Sequence, residues 1–485
     1  MRTYLGIDLG TSGVKVLLVD AEGQILSTQS ESYPVLYPRD GWSEQHPEAW
    51  LEAVDKCISR TFVGEYSRND VKGVSFGGQM HGLVVLDKND QVIRPAILWN
   101  DGRTQRETDW LNEIVGKDTL SSLTANIAFA GFTAPKILWL RDNEPENYRK
   151  ISKICLPKDY IAYMMTGVFS TDYSDASGTL LLDVKNKRWS DEMCRICSVQ
   201  ESWLPTLYES YEVIGKLKDK YAMPNAVVTA GAGDNAAAAI GTATVSNGEC
   251  NISLGTSGTV FISSDEFSVD KDNSLHAFAH ASGKWHLMGC ILSAASANKW
   301  WIEDILGVGY DLENVEDKLG ENNVYFLPYL MGERSPHNDV NARGAFVGMR
   351  PDTTKEEMSL AVLEGVAFAL RDCVEIAKSN GIEINATNIC GGGAKSGLWK
   401  KVIANVLGIE VRSLTTEQGP GYGASILAMV GAGEYSSVEE ATSRIVKVKS
   451  VVKPVQSLVV KYQKRYETFK KFYPALKDVF GIMST

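Results

Sequence analysis

The sequence predicts a duplicated α/β fold of two lobes, and two observations carry that reading. Ile7-Asp8-Leu9-Gly10-Thr11-Ser12-Gly13 returns half a chain later as Ile252-Ser253-Leu254-Gly255-Thr256-Ser257-Gly258, with Asp8 against Ser253 the one change. Each copy follows a β-rich run, and in both halves strand patterns lead while helical patterns come later.

In the first half, Tyr4–Ile7, Val14–Val19 and Gln24–Thr28 read as strands, with residues 20–23 (Asp20 to Gly23) as the hairpin turn between the last two. Residues 47–60 form an amphipathic helix pattern with Pro47 in its first turn. Val71–Phe76 is a further strand that runs into Gly77-Gly78-Gln79-Met80-His81-Gly82, and Leu83–Leu86 is the next. In the second half, Glu249–Leu254 and Thr259–Ser263 bracket the second copy of the repeat. Thr353 with Glu356 predicts a capping box for a helix with Met358, Val362, Val366, Ala369 and Cys373 on one face and Gly381 past its end. Asn388 to Cys390 reads as a short buried strand, and 455–471 as a charged surface helix. The natural boundary lies within Gly241–Gly248, which gives domains of 1–245 and 246–485.

Composition sets the class. The chain has 485 residues, 44% of them hydrophobic, ample for the cores of two large domains. A formal charge of −11 argues against nucleic-acid partners and against an anionic membrane surface. No apolar run is long enough to span a bilayer, and Met1-Arg2-Thr3 leads straight into a strand pattern without room for a signal peptide. The eight cysteines are scattered as reduced thiols would be, so the expected location is cytoplasmic.

The chemistry is concentrated in glycine-rich turns. Gly10, Thr11 and Ser12 in the first copy, and Gly255, Thr256 and Ser257 in the second, combine close backbone approach with hydroxyl donors. Two such turns can hold a polyphosphate through main-chain N–H groups. Asp8 adds a carboxylate that can hold Mg²⁺ through water, and Lys15 either adds positive charge or points outward from its strand. Gly391-Gly392-Gly393-Ala394-Lys395-Ser396 fails the Walker pattern, because Ile389 and Ala394 stand where its glycines belong; close approach to a flat ligand such as adenosine suits it better. Gly231-x-Gly233-x-x-Ala236 matches a dinucleotide fingerprint, but Glu249, the acidic residue at the right distance, begins a strand instead of ending one. Asp234 therefore reads as a helix N-cap, as a catalytic carboxylate, or as both. His81 sits at the tip of a loop, and Trp99, Asn100 and Asp101 offer groups that grip a sugar. Cys194 with Cys197, and His276 with His280, lack the further ligands that a metal site needs.

Taken together these motifs resemble the FGGY carbohydrate kinases. Two signatures of that family stand in the chain: Gly131-Phe132-Thr133 through Lys136 and Trp139 to Asn143, and Gly344 to Met349 running through Glu357 to Glu364. The resemblance implies two ribonuclease H-like (actin/Hsp70/hexokinase-type) α/β domains with the active site in the cleft between them. The first would carry the sugar site and one phosphate loop, and the second the nucleotide. Gly78–Gly82, residues 95–103, Leu156–Tyr160 and Phe326–Leu330 are most similar to the bacterial branch that phosphorylates D-xylulose. Relatives acting on glycerol carry Arg-Glu where this chain has Met80-His81.

On that resemblance Asp234 is the base, Asp8 serves the Mg²⁺–phosphate end, and Gln79, Met80, His81, Asn235, Trp99 and Asp101 join Asp234 around the sugar. Gly10, Thr11, Ser12, Lys15, Gly255, Thr256, Ser257, Asn298, Gly392, Gly393 and Ala394 form the ATP contacts. The expected partners are D-xylulose, ATP and a second copy of the chain as a homodimer. Another ketopentose or a polyol is the alternative within the family, and an actin- or Hsp70-like ATPase switch the alternative outside it.

Overall fold

The computed structural model describes residues 1–307, 312, 315–416 and 418–483. The chain forms two compact units. One comprises Met1–Val245, Ala277–Trp285 and Gln418–Val446; the other comprises Ser246–His276, His286–Glu417 and Lys447–Thr485.

The first unit is built on a mixed sheet. Its strands lie in the order Val213–Lys216, Val227–Thr229, Val71–Gly78, Thr3–Leu9, Gly13–Asp20, Ile25–Ser32, and the short strand Ala232–Gly233 also pairs with Val71–Gly78. Thr3–Leu9 runs antiparallel to Gly13–Asp20 and parallel to Val71–Gly78. Alternation along the strands feeds both faces. Val14, Val16 and Leu18 pack with Trp50 and Val54 of the helix Pro47–Thr61, while Leu17 and Val19 pack with Ala236, Ile240, Tyr422 and Ile426 of the helices Asp234–Gly241 and Gly419–Gly431. The close approach of Gly419–Gly431 requires glycine: a β-carbon on Gly6 would lie 1.9 Å from the Gly421 carbonyl oxygen, and one on Gly423 would lie 1.7 Å from that of Ala237.

The second unit repeats the plan. Cys250–Leu254 is antiparallel to Gly258–Ser264 and parallel to Ala386–Cys390, as the first strand of the other unit is to its neighbours. Trp285–Ile291 lies beyond Gly258–Ser264; Glu410–Leu414 and Val448–Val452 continue the other side. The duplication seen in the heptapeptide is thus a duplication of topology.

Two expectations in this unit need correction. The capping box of the helix Lys355–Ser379 uses Thr354 and Glu357: Thr354 Oγ1 accepts from the Glu357 N–H at 3.3 Å, and Glu357 Oε2 accepts from the Thr354 N–H at 2.9 Å. Thr353, one frame earlier, spends its hydroxyl on the Arg350 N–H, so the Thr353–Glu356 frame is not formed. The same helix buries Val362, Val366, Ala369 and Cys373, and the burial extends round it, since Leu360 to Arg371 are buried on every side. The C-terminal helix Gln456–Phe469 is not merely a charged surface element. Its Tyr462 and Arg465 are buried and donate to Glu364 at 2.9 and 2.7 Å, which makes that interior carboxylate tolerable. Among the described residues no helix is long and apolar enough to cross a membrane.

Candidate active site

In the first unit Asp8, near the end of its strand, faces Lys15 across the hairpin register. Lys15 does not point away: its Nζ donates to Gln418 Oε1 at 3.3 Å, just before the helix Gly419–Gly431, and its charge opposes part of the upward shift of the Asp8 carboxyl. That carboxyl is pushed up to about 7, chiefly by burial and then by the nearby charge of Asp234. Asp234 is itself half-buried and raised to about 6 by burial, with the Asn235 N–H on its carboxylate opposing the shift. Two neighbouring carboxylates with one lysine near Asp8 leave a deficit of positive charge. That fits a hydrated divalent cation, which takes one or two carboxylates and keeps several waters. No cluster of three acidic, histidine or cysteine ligands occurs among the described residues, so the pair does not form an all-protein cage.

Asp234 is not an N-cap. Gly233 holds the cap position and Asp234 is the first helical residue, its Oδ1 accepting from the Asn235 N–H at 2.7 Å and from Asn235 Nδ2 at 3.1 Å. Gly233 backs directly onto the Met80-His81 loop: a β-carbon there would lie 2.9 Å from Met80 Cγ. Met80, His81, Asp234 and Asn235 are thereby brought together. His81 holds φ at +67°, a strained conformation for a residue with a β-carbon. Its surroundings fix it. Its ring stacks on Phe132 at 4.6 Å, Nδ1 donates to the Gly178 carbonyl at 2.8 Å, and its own carbonyl accepts from Lys136 Nζ at 2.8 Å and Thr133 Oγ1 at 3.1 Å. Phe132, Thr133 and Lys136 belong to the Gly131–Asn143 signature, which acquires a physical role as the clamp on the His81 backbone.

The remaining predicted sugar residues are placed differently. Gln79 spends its amide on Gln45 Oε1 at 3.1 Å and on the Thr11 hydroxyl at 3.2 Å. Trp99 also reaches Thr11, its Nε1 donating to Oγ1 at 2.9 Å. Asp101 is buried, takes Arg103 in a bidentate pair and accepts from the Ser43 N–H at 2.6 Å. Gln79 and Trp99 thus brace the first glycine turn, and Asp101 has its lone pairs largely engaged.

The carbonyls of that turn all face protein donors. Gly10 O accepts from Tyr33 Oη at 2.5 Å, Thr11 O from Gln45 Nε2 at 2.6 Å, Ser12 O from the Tyr33 N–H at 3.3 Å, and Gly13 O from the Gly10 N–H at 3.0 Å. The N–H groups of Thr11 and Ser12 find no acceptor among the described residues. With carbonyls turned inward and amides left over, the turn presents the polarity that an anion requires.

The second unit arranges its copy with main-chain donors. Gly255 O accepts from the Ala295 N–H at 2.8 Å, and Thr256 O accepts from the N–H of Ala294 at 3.0 Å and the Ser296 hydroxyl at 2.6 Å. Asn298 is on the helix Ala295–Lys299 whose start makes these bonds. Gly391 and Gly393 back onto Leu254, at the end of the strand that leads into this turn: a β-carbon on Gly393 would lie 2.9 Å from Leu254 Cβ and 2.8 Å from Trp399. Gly392 is exposed with nothing within 4 Å of its β-carbon position, whereas Ala394 is buried. The lesser motifs resolve as packing. Cys194 and Cys197 are buried free thiols, and His280 is a buried neutral ring, its pKa lowered to about 4 by desolvation, with Nε2 at 2.9 Å from the Thr244 carbonyl.

Sequence reasoning passed over Tyr33 and Gln45, which hold the first turn, and Lys158, Asp172 and Ser174 behind Gly233. Lys158-Asp159 directly after a helix-starting Pro157 was the available signal, since a charged pair inside an apolar helix calls for partners.

The model for the FGGY family of carbohydrate kinases matches by its N-terminal domain at residues 3–241 and by its C-terminal domain at 250–432. A xylulose kinase of Escherichia coli (strain K12) is 39% identical over 484 residues, covering 98% of this chain and 99% of that protein. A crystal structure of a xyloylose kinase from Brucella ovis superposes with a TM-score of 0.91 at 36% identity, over 99% of this chain and 100% of that one. A gluconate kinase from Lactobacillus acidophilus superposes with a TM-score of 0.93 at 25% identity, over 99% of each chain, so backbone likeness by itself does not select the sugar.

Proposed function

The chain belongs to the FGGY family of carbohydrate kinases, and from that premise we propose that it transfers the γ-phosphoryl group of ATP to the 5-hydroxyl of D-xylulose, giving D-xylulose 5-phosphate and ADP. Likeness to proteins named xylulose kinase over essentially the whole chain supports the choice of sugar. The observation that carries the mechanism is the packing of Gly233 on Met80, which sets Asp234 beside the Met80-His81 loop.

A sugar hydroxyl is a poor nucleophile at neutral pH. Asp234, with a carboxyl raised to about 6, is ionised near neutrality yet basic enough to accept the hydroxyl proton as the new P–O bond forms, a role worth about 10²–10⁴ in rate. The spare N–H groups of Thr11 and Ser12 are donors suited to phosphate oxygens, and Gly255, Thr256 and Ser257 are assigned to the nucleotide. Asp8, with Asp234 near it, is the residue to hold a hydrated Mg²⁺, which when bound supplies charge neutralisation for the phosphate oxygens. Asn298, Gly392 and Ala394 are assigned to the nucleotide. The eight free thiols support a cytoplasmic setting. The homodimer is part of the same reading and is read directly by sedimentation.

The test is a coupled ADP-release assay across ketopentoses, aldoses, gluconate and glycerol. D-xylulose should give the highest kcat/KM. Asp234→Asn should lower its phosphorylation by about 10²–10⁴-fold while ATP binding persists. Near-normal turnover in that variant would remove Asp234 as the base, and nucleotide hydrolysis indifferent to every sugar would favour the switch ATPase instead.

A further inference from the structure

Behind the sugar loop lies a buried polar cluster with no part in the scheme so far. Lys158, in the first turn of the helix Pro157–Thr166, is fully buried, and its Nζ lies 2.6 Å from Asp159 Oδ1, 2.9 Å from Asp172 Oδ1 and 3.6 Å from Asp175 Oδ2. The other oxygen of Asp172 accepts from the hydroxyls of Ser174 at 2.5 Å and Ser210 at 2.7 Å. Ser174 Oγ, its proton given to Asp172, accepts the Gly233 N–H at 3.2 Å. Gly233 is the cap residue immediately before Asp234. At the other end Lys158 packs on the root of the sugar loop, where a β-carbon on Gly78 would lie 2.6 Å from Lys158 Cβ. Gly78 and Gly233 are also paired across neighbouring strands. A continuous path therefore joins the root of the sugar loop to the residue that aims Asp234.

Stability alone does not account for this arrangement. Three carboxylates share one ammonium in the interior, and Asp175 takes no hydrogen bond at either oxygen among the described residues. Burial holds the Asp175 carboxyl well above the usual carboxylate range, and Asp172 orients Ser174 by accepting its hydroxyl proton at Oδ2. A buried cluster of this kind is a costly way to gain stability, and its attested use is to fix a specific geometry.

We infer that Lys158, Asp172 and Ser174 form a positioning relay for phosphoryl transfer, directing the Asp234 carboxylate at the acceptor hydroxyl by fixing the Gly233 N–H. The inference rests on the reading of Asp234 as the base. Ser174→Ala and Ser210→Ala each remove one hydroxyl from the same Asp172 oxygen, but only Ser174 reaches Gly233, so the pair separates positioning from structural support. Ser174→Ala should lower kcat with D-xylulose by about 10–100-fold, since misplacement of a catalytic group is felt steeply, with KM for ATP within about twofold of the parent. Ser210→Ala should keep kcat within about twofold, and the two variants should share the same loss of melting temperature. An unchanged kcat in Ser174→Ala, or equal falls in both variants, overturns the relay. A parent protein that phosphorylates no sugar defeats the functional reading along with it, whereas an active parent beside an indifferent Ser174→Ala defeats the relay alone.

Discussion

The two glycine turns are nearly identical in sequence and are held by different means. Around Gly10–Gly13 the carbonyls are gripped largely by side chains from distant parts of the first unit, Tyr33 and Gln45, while Gln79 and Trp99 reach the Thr11 hydroxyl. Around Gly255–Gly258 the grip is mostly main chain, from the N–H groups of Ala294 and Ala295, which follow within the same unit. A turn fixed by side chains is open to adjustment by single substitutions, and one fixed by backbone amides is not. The adjustable turn is also the one that follows Asp8, where its counterpart follows Ser253. The two copies thus share a backbone topology, and the first copy alone combines a carboxylate with long-range side-chain bracing.

Erasing the difference in charge should have the largest effect. Asp8→Ser makes the first heptapeptide a copy of the second, and kcat should fall on the order of 10³-fold for loss of the carboxylate at the phosphate end, read as ADP release across a Mg²⁺ titration. Ser253→Asp, the reciprocal change, should leave chemistry intact but raise KM for ATP by about tenfold, because it places an anion beside a polyphosphate. Full activity in Asp8→Ser would make the two turns equivalent and dissolve the comparison.

The bracing supplies a smaller contrast. Gln45→Leu strips the Thr11 carbonyl of its donor and also the Trp50 indole and the Gln79 amide of their acceptor. An orphaned carbonyl at an anion site is worth about 1–3 kcal/mol, so KM for ATP should rise roughly tenfold or more. Ser296→Ala removes one donor from Thr256 O, but the Ala294 N–H stays in place, and the change should be about twofold. Equal effects at the two positions would show that side-chain bracing confers no special sensitivity.

The same contrast explains what was legible in the sequence. The repeat, the strands that flank it and the carboxylate at Asp8 are local patterns, and each stands where the periodicity and turn residues put it. The unit boundary between Val245 and Ser246 lies in the glycine-bracketed stretch, but Ala277–Trp285 and Gln418–Val446 pack in the first unit, and no local pattern announces a return of the chain. Tyr33 and Gln45 act on residues tens of positions away, so spacing carries no trace of them, whereas Lys158 left only its adjacent Asp159 as a sign. Asp101 looked free because its partner, Arg103, is two residues along and reads equally well as a solvated charge. The capping frame was ambiguous because Thr353-Thr354 faces Glu356-Glu357, and only the turn at Arg350 decides which hydroxyl is left to cap.

The smallest expected effect is thermodynamic, and it isolates the charge from the chemistry. Asp8 has its carboxyl raised from an ordinary 3.8 to about 7, by burial first and by Asp234 second. The folded protein therefore holds that proton more tightly than the unfolded chain does. Ionising the group opposes folding, so the ligand-free protein should lose stability as pH rises from about 4 to about 7 and level off above, with the sign opposite to that of a salt-bridged carboxylate. Asp8→Asn removes the cost. Without nucleotide or divalent cation, its melting temperature at pH 8 should exceed that of the parent by on the order of 2–4 °C, and the two should converge near pH 4.5. Ser253→Ala, at the matching place in the second turn, should show no pH-dependent gap, because nothing there titrates in that range. A parent and Asp8→Asn variant with the same melting temperature across this window would mean that the Asp8 charge is already compensated in the ligand-free protein, and the asymmetry between the turns would then reside in their bracing alone.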